Sequence, residues 1–335
     1  MQAAIYGFEG FELTDEERAF FRDSDPAGYI LFRRNCSAQD QLLRLTDSLR
    51  DLGGRADLPI LIDQEGGRVA RMRPPEWPAF PASYAFARLY EAAPSSAIEA
   101  ARSNARAIAL TLRSCGINVN ALPVLDVLQD GASDIVGDRS LGPAPMQVAA
   151  LGRAILDGMA SAGVVGIIKH MPGHGRAMVD SHKELPVVTA SAEELETDLE
   201  PFERLSAAPM GMTAHVVYTA WDADRPASLS PTVIHDIIRG RIGFSGWLMS
   251  DDLGMEALMG DFGSRAAGVV AAGCDVALHC SGKMDEMIAV ANAVPAMSAD
   301  SEARLARAMA TTMIDHEGPD FAESIAQRDA LLALV

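Results

Sequence analysis

The stretch Met171-Pro172-Gly173-His174-Gly175-Arg176-Ala177-Met178-Val179-Asp180-Ser181-His182 carries two histidines and an aspartate downstream of an apolar run. Its proline and two glycines forbid a regular helix at its start. Irregular stretches of this length are typically functional or disordered. The Asp180-x-His182 spacing suits general acid/base chemistry. A carboxylate can hold an imidazole in one orientation and stabilise its protonated form. An unperturbed histidine titrates near pKa ~6.5, so it can give and take a proton near neutrality. The same pair would serve equally as a hydrogen-bonded loop dyad with a structural role.

Asp251 and Asp252 are adjacent acids after a short apolar run. One could act as a nucleophile while the other caps the turn that follows. Neighbouring strand residues point in opposite directions, so only one should face a site. The residues alone leave open which one. The segment Asp63-Gln64-Glu65-Gly66-Gly67-Arg68-Val69-Ala70-Arg71 places acids, a Gly-Gly turn and two arginines after another apolar run. A carboxylate there could accept bonds from two hydroxyls of a ligand. Gly137-Asp138-Arg139-Ser140 is a second basic element, and together with Lys169, Arg71 and Arg139 would form a cationic pocket. Such a pocket suits hydroxyl, carbonyl or carboxylate groups of a ligand. Arg68 reads as half of a surface ion pair.

His170, His174, His182, His215 and Asp251 could in principle ligate zinc. The first apolar run, Ala3–Phe8, holds no histidine, and metal-dependent barrel hydrolases usually carry a histidine pair there. Neither a metal nor a cofactor is therefore expected, and no glycine-rich dinucleotide turn follows that first run.

These groups must be held by something, and the chain alternates short apolar runs with longer amphipathic ones. Strands are predicted at Ala3–Phe8, Gly28–Phe32, Pro59–Ile62, Ile117–Asn120 extended by Val124–Val127, Val164–Ile168, Met210–Ala214, Trp247–Ser250 and Cys274–Leu278. Helices are predicted between them, one opened by a Thr14/Glu17 capping box and another by Ser191. Pro231 should start a further helix. Eight such units predict parallel pairing with helical crossovers and a single (β/α)8 barrel. In that fold the active site lies at the C-terminal strand ends, where Asp63, Lys169, His170, His215, Asp251 and Asp252 collect. Residues 1–335 read as one catalytic domain, with helices after about 283 packed on the barrel.

The chain has 335 residues, 49% hydrophobic and 22% charged, with a formal net charge of −18. That acidity disfavours nucleic-acid backbones and anionic membrane surfaces. No signal peptide or membrane span is legible. The four cysteines (Cys36, Cys115, Cys274, Cys280) show no paired spacing and are expected to be reduced and buried in a cytoplasmic protein. The oligomeric state stays open, with a monomer the simpler expectation.

Several of these motifs together resemble family 3 glycoside hydrolases in their β-N-acetylhexosaminidase branch. The motifs are Asp63–Val69, Pro123–Val127, Gly137–Ser140, Lys169–Gly175 with Asp180–His182, and Ser250–Leu253, spread over about residues 1–280. The chain looks like the short Gram-negative type that removes N-acetylglucosamine from anhydro-muropeptides during peptidoglycan recycling. The resemblance implies a retaining enzyme acting on a small glycan. By it Asp251 is the nucleophile and His182 the acid/base assisted by Asp180. Asp63, Arg71, Arg139, Lys169 and His170 then contact the sugar. Met171 stands where this family commonly has Phe and is expected to loosen packing under the loop. Gly254 stands where Ser is common.

Overall fold

The computed structural model describes residues 1–129, 136–179, 184–314 and 316–335. Asp180 and His182 lie outside the described residues.

Eight parallel strands form a closed barrel among the described residues, each paired with its neighbours in sequence. They are β1 (Gln2–Tyr6), β2 (Pro26–Leu31), β3 (Ile60–Ile62), β4 (Val119–Asn120), β5 (Val165–Met171), β6 (Met210–Thr213), β7 (Trp247–Asp252) and β8 (Val276–His279). β8 closes on β1 with Ile5 opposite Leu278. The expected fold class is thus observed, and the strand period of two explains its core. Ile5, Ile167, Met212, Met249 and Leu278 point inward and form one apolar cluster. Their neighbours Ala4, Tyr6, Ile168, Leu248 and Ala277 point outward into a second cluster shared with the helices.

The outer layer includes α1 (Asp15–Ser24), α2 (Gln39–Gly53), α3 (Ser83–Ala92), α4 (Pro94–Arg113), α5 (Pro145–Ala160), α6 (Ala192–Arg204) and α7 (Phe262–Ala272). Thr14 and Ser191 make the expected capping boxes, each with the glutamate three residues on. Pro231 does precede a helix, but Val233–Arg241 is a π-helix, with Ile242 N–H bonded to Ile237 C=O. Met171, expected to pack loosely, is fully buried in the cluster between strands and helices. Its flexible thioether fills the space above Gly211, where a Cβ would overlap it. Among the cysteines, Cys280 is only half-buried, a correction to the expectation that all four are buried.

Three further helices follow the barrel: α8 (Met284–Ala293), α9 (Ala299–Met309) and α10 (Phe321–Leu332). α9 covers the N-terminal end of the strands. Its Leu305, Ala308 and Met309 join the inward-facing cluster. Ser301 Oγ accepts from Trp247 Nε1 at 3.3 Å, and Arg304 pairs with Asp275 at 2.8 Å. α10 packs on α4, where Arg328 donates to Asn104 Oδ1 at 3.1 Å. No helix among the described residues is long and apolar enough to cross a membrane.

If α9 is part of the barrel's cooperative core, Leu305→Ala should cost about 2–5 kcal/mol in urea unfolding, with the slope unchanged. An unchanged midpoint would show that α9 contributes nothing to that core.

Candidate active site

Polar residues gather at the C-terminal end of the barrel, and their positions follow from how the strands end. β3 stops at Ile62, and the chain folds back as a short hairpin, Gln64–Gly66 with Val69–Ala70. The hairpin needs Gly66, whose φ is +100° and whose added Cβ would overlap the Pro81 carbonyl. Gln64 fixes the hairpin's base. Its side-chain oxygen accepts from Arg71 N–H at 2.9 Å and Met72 N–H at 3.0 Å, and its own N–H donates to Asn120 Oδ1 at 2.9 Å.

This fold-back brings Asp63 and Glu65 onto the same cations. Lys169 Nζ lies 3.2 Å from Asp63 Oδ1 and 2.7 Å from Glu65 Oε1. Arg71 donates to Asp63 Oδ2 at 3.0 Å. Arg139 donates to both oxygens of Glu65, at 2.8 and 2.9 Å. Glu65 and Lys169 are only 3% and 2% exposed. The cationic pocket expected from sequence is therefore a mixed one: three cations share two carboxylates. Asp63, Arg71, Arg139 and Lys169 are brought together as expected, and Glu65 is the member that was missed. Its spacing of two from Asp63 was the available signal, since such residues share a face in extended chain. Arg68 pairs with Asp138 at 2.7 Å and both are about half exposed, as expected of a surface pair.

Burial alone would raise the Glu65 and Asp63 carboxyls. Lys169 with Arg139, and Lys169 with Arg71, outweigh it and hold both below the usual carboxylate range. Burial likewise opposes the charge on Arg139, but Glu65 raises its affinity for the proton overall.

β5 runs on through Lys169, His170 and Met171, beyond the expected end at Ile168. The Lys169–His170 peptide is cis. His170 turns to a second carboxylate missed from sequence, Asp126, which is fully buried. His170 Nδ1 donates to Asp126 Oδ2 at 2.7 Å, and the His174 N–H donates to Asp126 Oδ1 at 2.7 Å. Burial raises Asp126, but His170, and to a lesser degree His174, bring it well below its ordinary value. Asp126 sits just past Val124, which bridges to Lys169, so the strand-end rule pointed to it too.

β7 ends in the two acids, and the structure separates them. Asp252 Oδ1 accepts from Gly254 N–H at 2.9 Å and Cys280 N–H at 3.1 Å, so this carboxylate ties the turn to β8. Asp251 Oδ1 accepts from Asp252 N–H at 2.8 Å. Its charge acts on His174 and His215. Burial pushes His174 down to about 4 and lowers His215 as well. His215 Nε2 donates to the Asp252 carbonyl at 3.0 Å, so Nδ1 of the neutral ring accepts from Ser228 Oγ at 2.6 Å. Cys280 lies among Asp252, Asp63 and Asp251, with its thiol raised chiefly by burial. Among the described residues no group of three or more His, Cys, Asp or Glu is arranged to hold a metal ion.

Because Glu65, Asp63 and Asp126 are held low, the folded protein binds fewer protons than the unfolded chain below pH ~5. Their contribution is present above their unfolded values near ~4 and is lost as pH falls further. Glu65→Gln, which leaves Lys169 and Arg139 buried with less compensation, should lose about 3–5 kcal/mol at pH 7. Its unfolding temperature should also fall less steeply than wild type between pH 5 and 3. Parallel curves for the two proteins would contradict this assignment.

Residues 4–311 match the family described as Glycosyl hydrolase family 3 N terminal domain. The chain is 42% identical over 277 residues to a beta-hexosaminidase of Aromatoleum aromaticum, covering 81% of this chain and 77% of that one. It is 38% identical over 317 residues to a beta-hexosaminidase of Alkalilimnicola ehrlichii, covering 93% and 90%. Among solved structures it resembles NagZ from Neisseria gonorrhoeae in complex with N-trifluoroacetyl-D-glucosamine. That likeness has a TM-score of 0.85 and 33% identity, over 99% of this chain and 96% of the other. The chain belongs to glycosyl hydrolase family 3, in its β-hexosaminidase branch, and is a glycoside hydrolase.

Proposed function

We propose that the protein is a retaining exo-β-N-acetylglucosaminidase. It removes terminal, non-reducing N-acetylglucosamine from peptidoglycan fragments, the anhydro-muropeptides, in cytoplasmic wall recycling. The observation that carries the mechanism is the division between the two β7 acids. Asp252 is committed to backbone N–H groups, while Asp251 stands among the histidines at the barrel mouth.

Asp251 attacks the anomeric carbon, and the glycosidic C–O bond breaks. His182, assisted by Asp180, protonates the departing oxygen. A neutral glycosyl-enzyme ester and a neutral imidazole result. His182 then takes a proton from water, the hydroxide attacks the same carbon, and Asp251 leaves as carboxylate with His182 again protonated. Two displacements preserve the β configuration. Asp63 and Lys169, with Arg71 and Arg139 behind them, and the Nε2 edge of His170 hold the sugar's hydroxyl and acetamido groups. Fixed, buried ion pairs suit that work because they need no reorganisation when the sugar arrives.

The whole chain acts as one catalytic unit, a reading supported by α9 in the barrel base and α10 on α4. Four cysteines without a disulfide accord with a reducing compartment.

4-Nitrophenyl N-acetyl-β-D-glucosaminide should be turned over by wild type, and Asp251→Ala should lose about 10³-fold or more. His182→Ala should lose less on this substrate, because nitrophenolate leaves without much protonation. The sugar first released, observed by NMR, should be the β anomer. Absence of wild-type turnover, or a fully active Asp251→Ala, would overturn the assignment, and an α product would overturn retention. Release of N-acetylglucosamine from a purified anhydro-muropeptide tests the substrate class.

A further inference from the structure

We propose that His215, held by Ser228, is the positioning residue for Asp251: through the Asp252 carbonyl it fixes the bulged end of β7 and so aims the nucleophile's carboxylate at the anomeric carbon. The inference rests on the role given to Asp251 above.

β7 needs outside support where Asp251 stands. Its ladder with β6 runs from Trp247 opposite Met210 to Met249 opposite Met212. On the other side Met249 pairs with Val276 and Asp252 with Leu278, so Ser250 and Asp251 together stand opposite the single residue Ala277. That is a bulge, the device that re-aims a side chain beside an active site. Side chains take over from the ladder there. Ser250 Oγ accepts from Leu278 N–H at 3.1 Å, and Asp252 Oδ1 accepts from Cys280 N–H at 3.1 Å. These bonds tie β7 to β8. On the β6 side the tie is His215, two residues past the end of that strand, whose Nε2 donates to the Asp252 carbonyl at 3.0 Å.

Asp252 passes the constraint on to Asp251, because its N–H donates to Asp251 Oδ1 at 2.8 Å. One residue is thus gripped at its carbonyl by His215 and at its carboxylate by the Gly254 and Cys280 N–H groups, and its own N–H holds the nucleophile. His215 and Ser228 are both fully buried. Ser228 is itself fixed, in the turn Ala227–Leu229, whose Ala227 N–H donates to the Val216 carbonyl at 2.8 Å. Its hydroxyl reaches Nδ1 at 2.6 Å, which leaves the ring proton on Nε2, pointed at Asp252. Burial lowers the ring's affinity for a second proton more than the Asp251 charge raises it. The clamp therefore supplies direction without a cation, which would stabilise the Asp251 carboxylate and weaken it as a nucleophile.

His215 acts through Asp252, so its loss must fall on the reacting step and not on sugar binding. Two quantities should be measured for His215→Leu, His215→Gln and Ser228→Ala: kcat/KM on 4-nitrophenyl N-acetyl-β-D-glucosaminide, and the inhibition constant of free N-acetylglucosamine. His215→Leu should lose about 10–10²-fold in kcat/KM, the scale of a small misplacement. Its inhibition constant should stay within about threefold of wild type, since the interaction lost is made in the transition state. His215→Gln restores an N–H toward the Asp252 carbonyl and should recover part of the loss. Ser228→Ala keeps the imidazole and removes a neutral hydrogen bond to it, so it should lose about 3–10-fold. An unchanged kcat/KM in His215→Leu, an equal weakening of N-acetylglucosamine, or no recovery in His215→Gln would overturn the proposal. If thermal unfolding shows that His215→Leu does not fold, Ser228→Ala decides by the same two quantities, and no loss there overturns it. Asp251→Ala keeps the two readings apart. If it is inactive while the His215 variants are unaffected, only the positioning role fails. If it is active, the nucleophile assignment fails and this inference falls with it.

Discussion

The ammonium of Lys169 is almost wholly withdrawn from water, and the mouth of the barrel is organised around what that costs. An isolated buried ammonium is penalised by several kcal/mol even after relaxation. Asp63 and Glu65 both reach Nζ, but each is itself a buried charge and needs more than one partner. Arg71 completes Asp63, and Arg139 completes Glu65 through two parallel bonds. The arrangement couples β3, the hairpin after it, β5 and the 137–139 turn. None of these can move without stranding a charge. A ligand at this network would meet donors and acceptors already held in place, which is the condition for electrostatic preorganisation.

The two ends of the barrel solve the burial problem differently. At the N-terminal end the interior is apolar and α9 completes it. A buried carboxylate there, Asp275, is well satisfied: Arg239, Arg304 and the Leu248 N–H all donate to it. At the C-terminal end, charges are kept in contact with the space a ligand would take. Asp198, paired with Arg176 through Oδ2, keeps its Oδ1 without a hydrogen-bond partner among the described residues. Polar groups at the base are built for stability, and those at the mouth give up some of it.

The barrel was legible because its signal is local. Each strand is a short apolar run, and the eight expected runs overlap the eight observed strands. What escaped had no such signal. The Gln64–Ala70 hairpin is made of polar residues and glycine, and side-chain bonds from Gln64 hold it in place of apolar alternation. α3 escaped as well; it lies directly before α4, with only Ala93 between them. In the site, residue types were legible and pairings were not. Lys169, Arg139 and the Asp63–Arg71 pair come from three segments, and only the closed barrel reveals that Glu65 divides their charge. That Asp252 ties the turn to β8 through the Gly254 and Cys280 N–H groups likewise had no local signal. Asp180 and His182, read from sequence, lie outside the described residues.

The electrostatics of the buried histidines bear on which imidazole can be the acid. A general acid must carry its proton near neutral pH at the moment the bond breaks. His174 stands in reach of Asp251, but burial holds it at about 4, so at pH 7 only about one molecule in 10³ would have it protonated. His215 is lowered too, and both its ring nitrogens are occupied by Ser228 and the Asp252 carbonyl. His170 already gives its Nδ1 proton to Asp126. His174 and His215 are therefore suited to line the site, with little charge of their own near neutral pH. Neither His174 nor His215 therefore meets the requirement for the acid. The role proposed for His182, with Asp180 two residues before it in sequence, accords with that requirement.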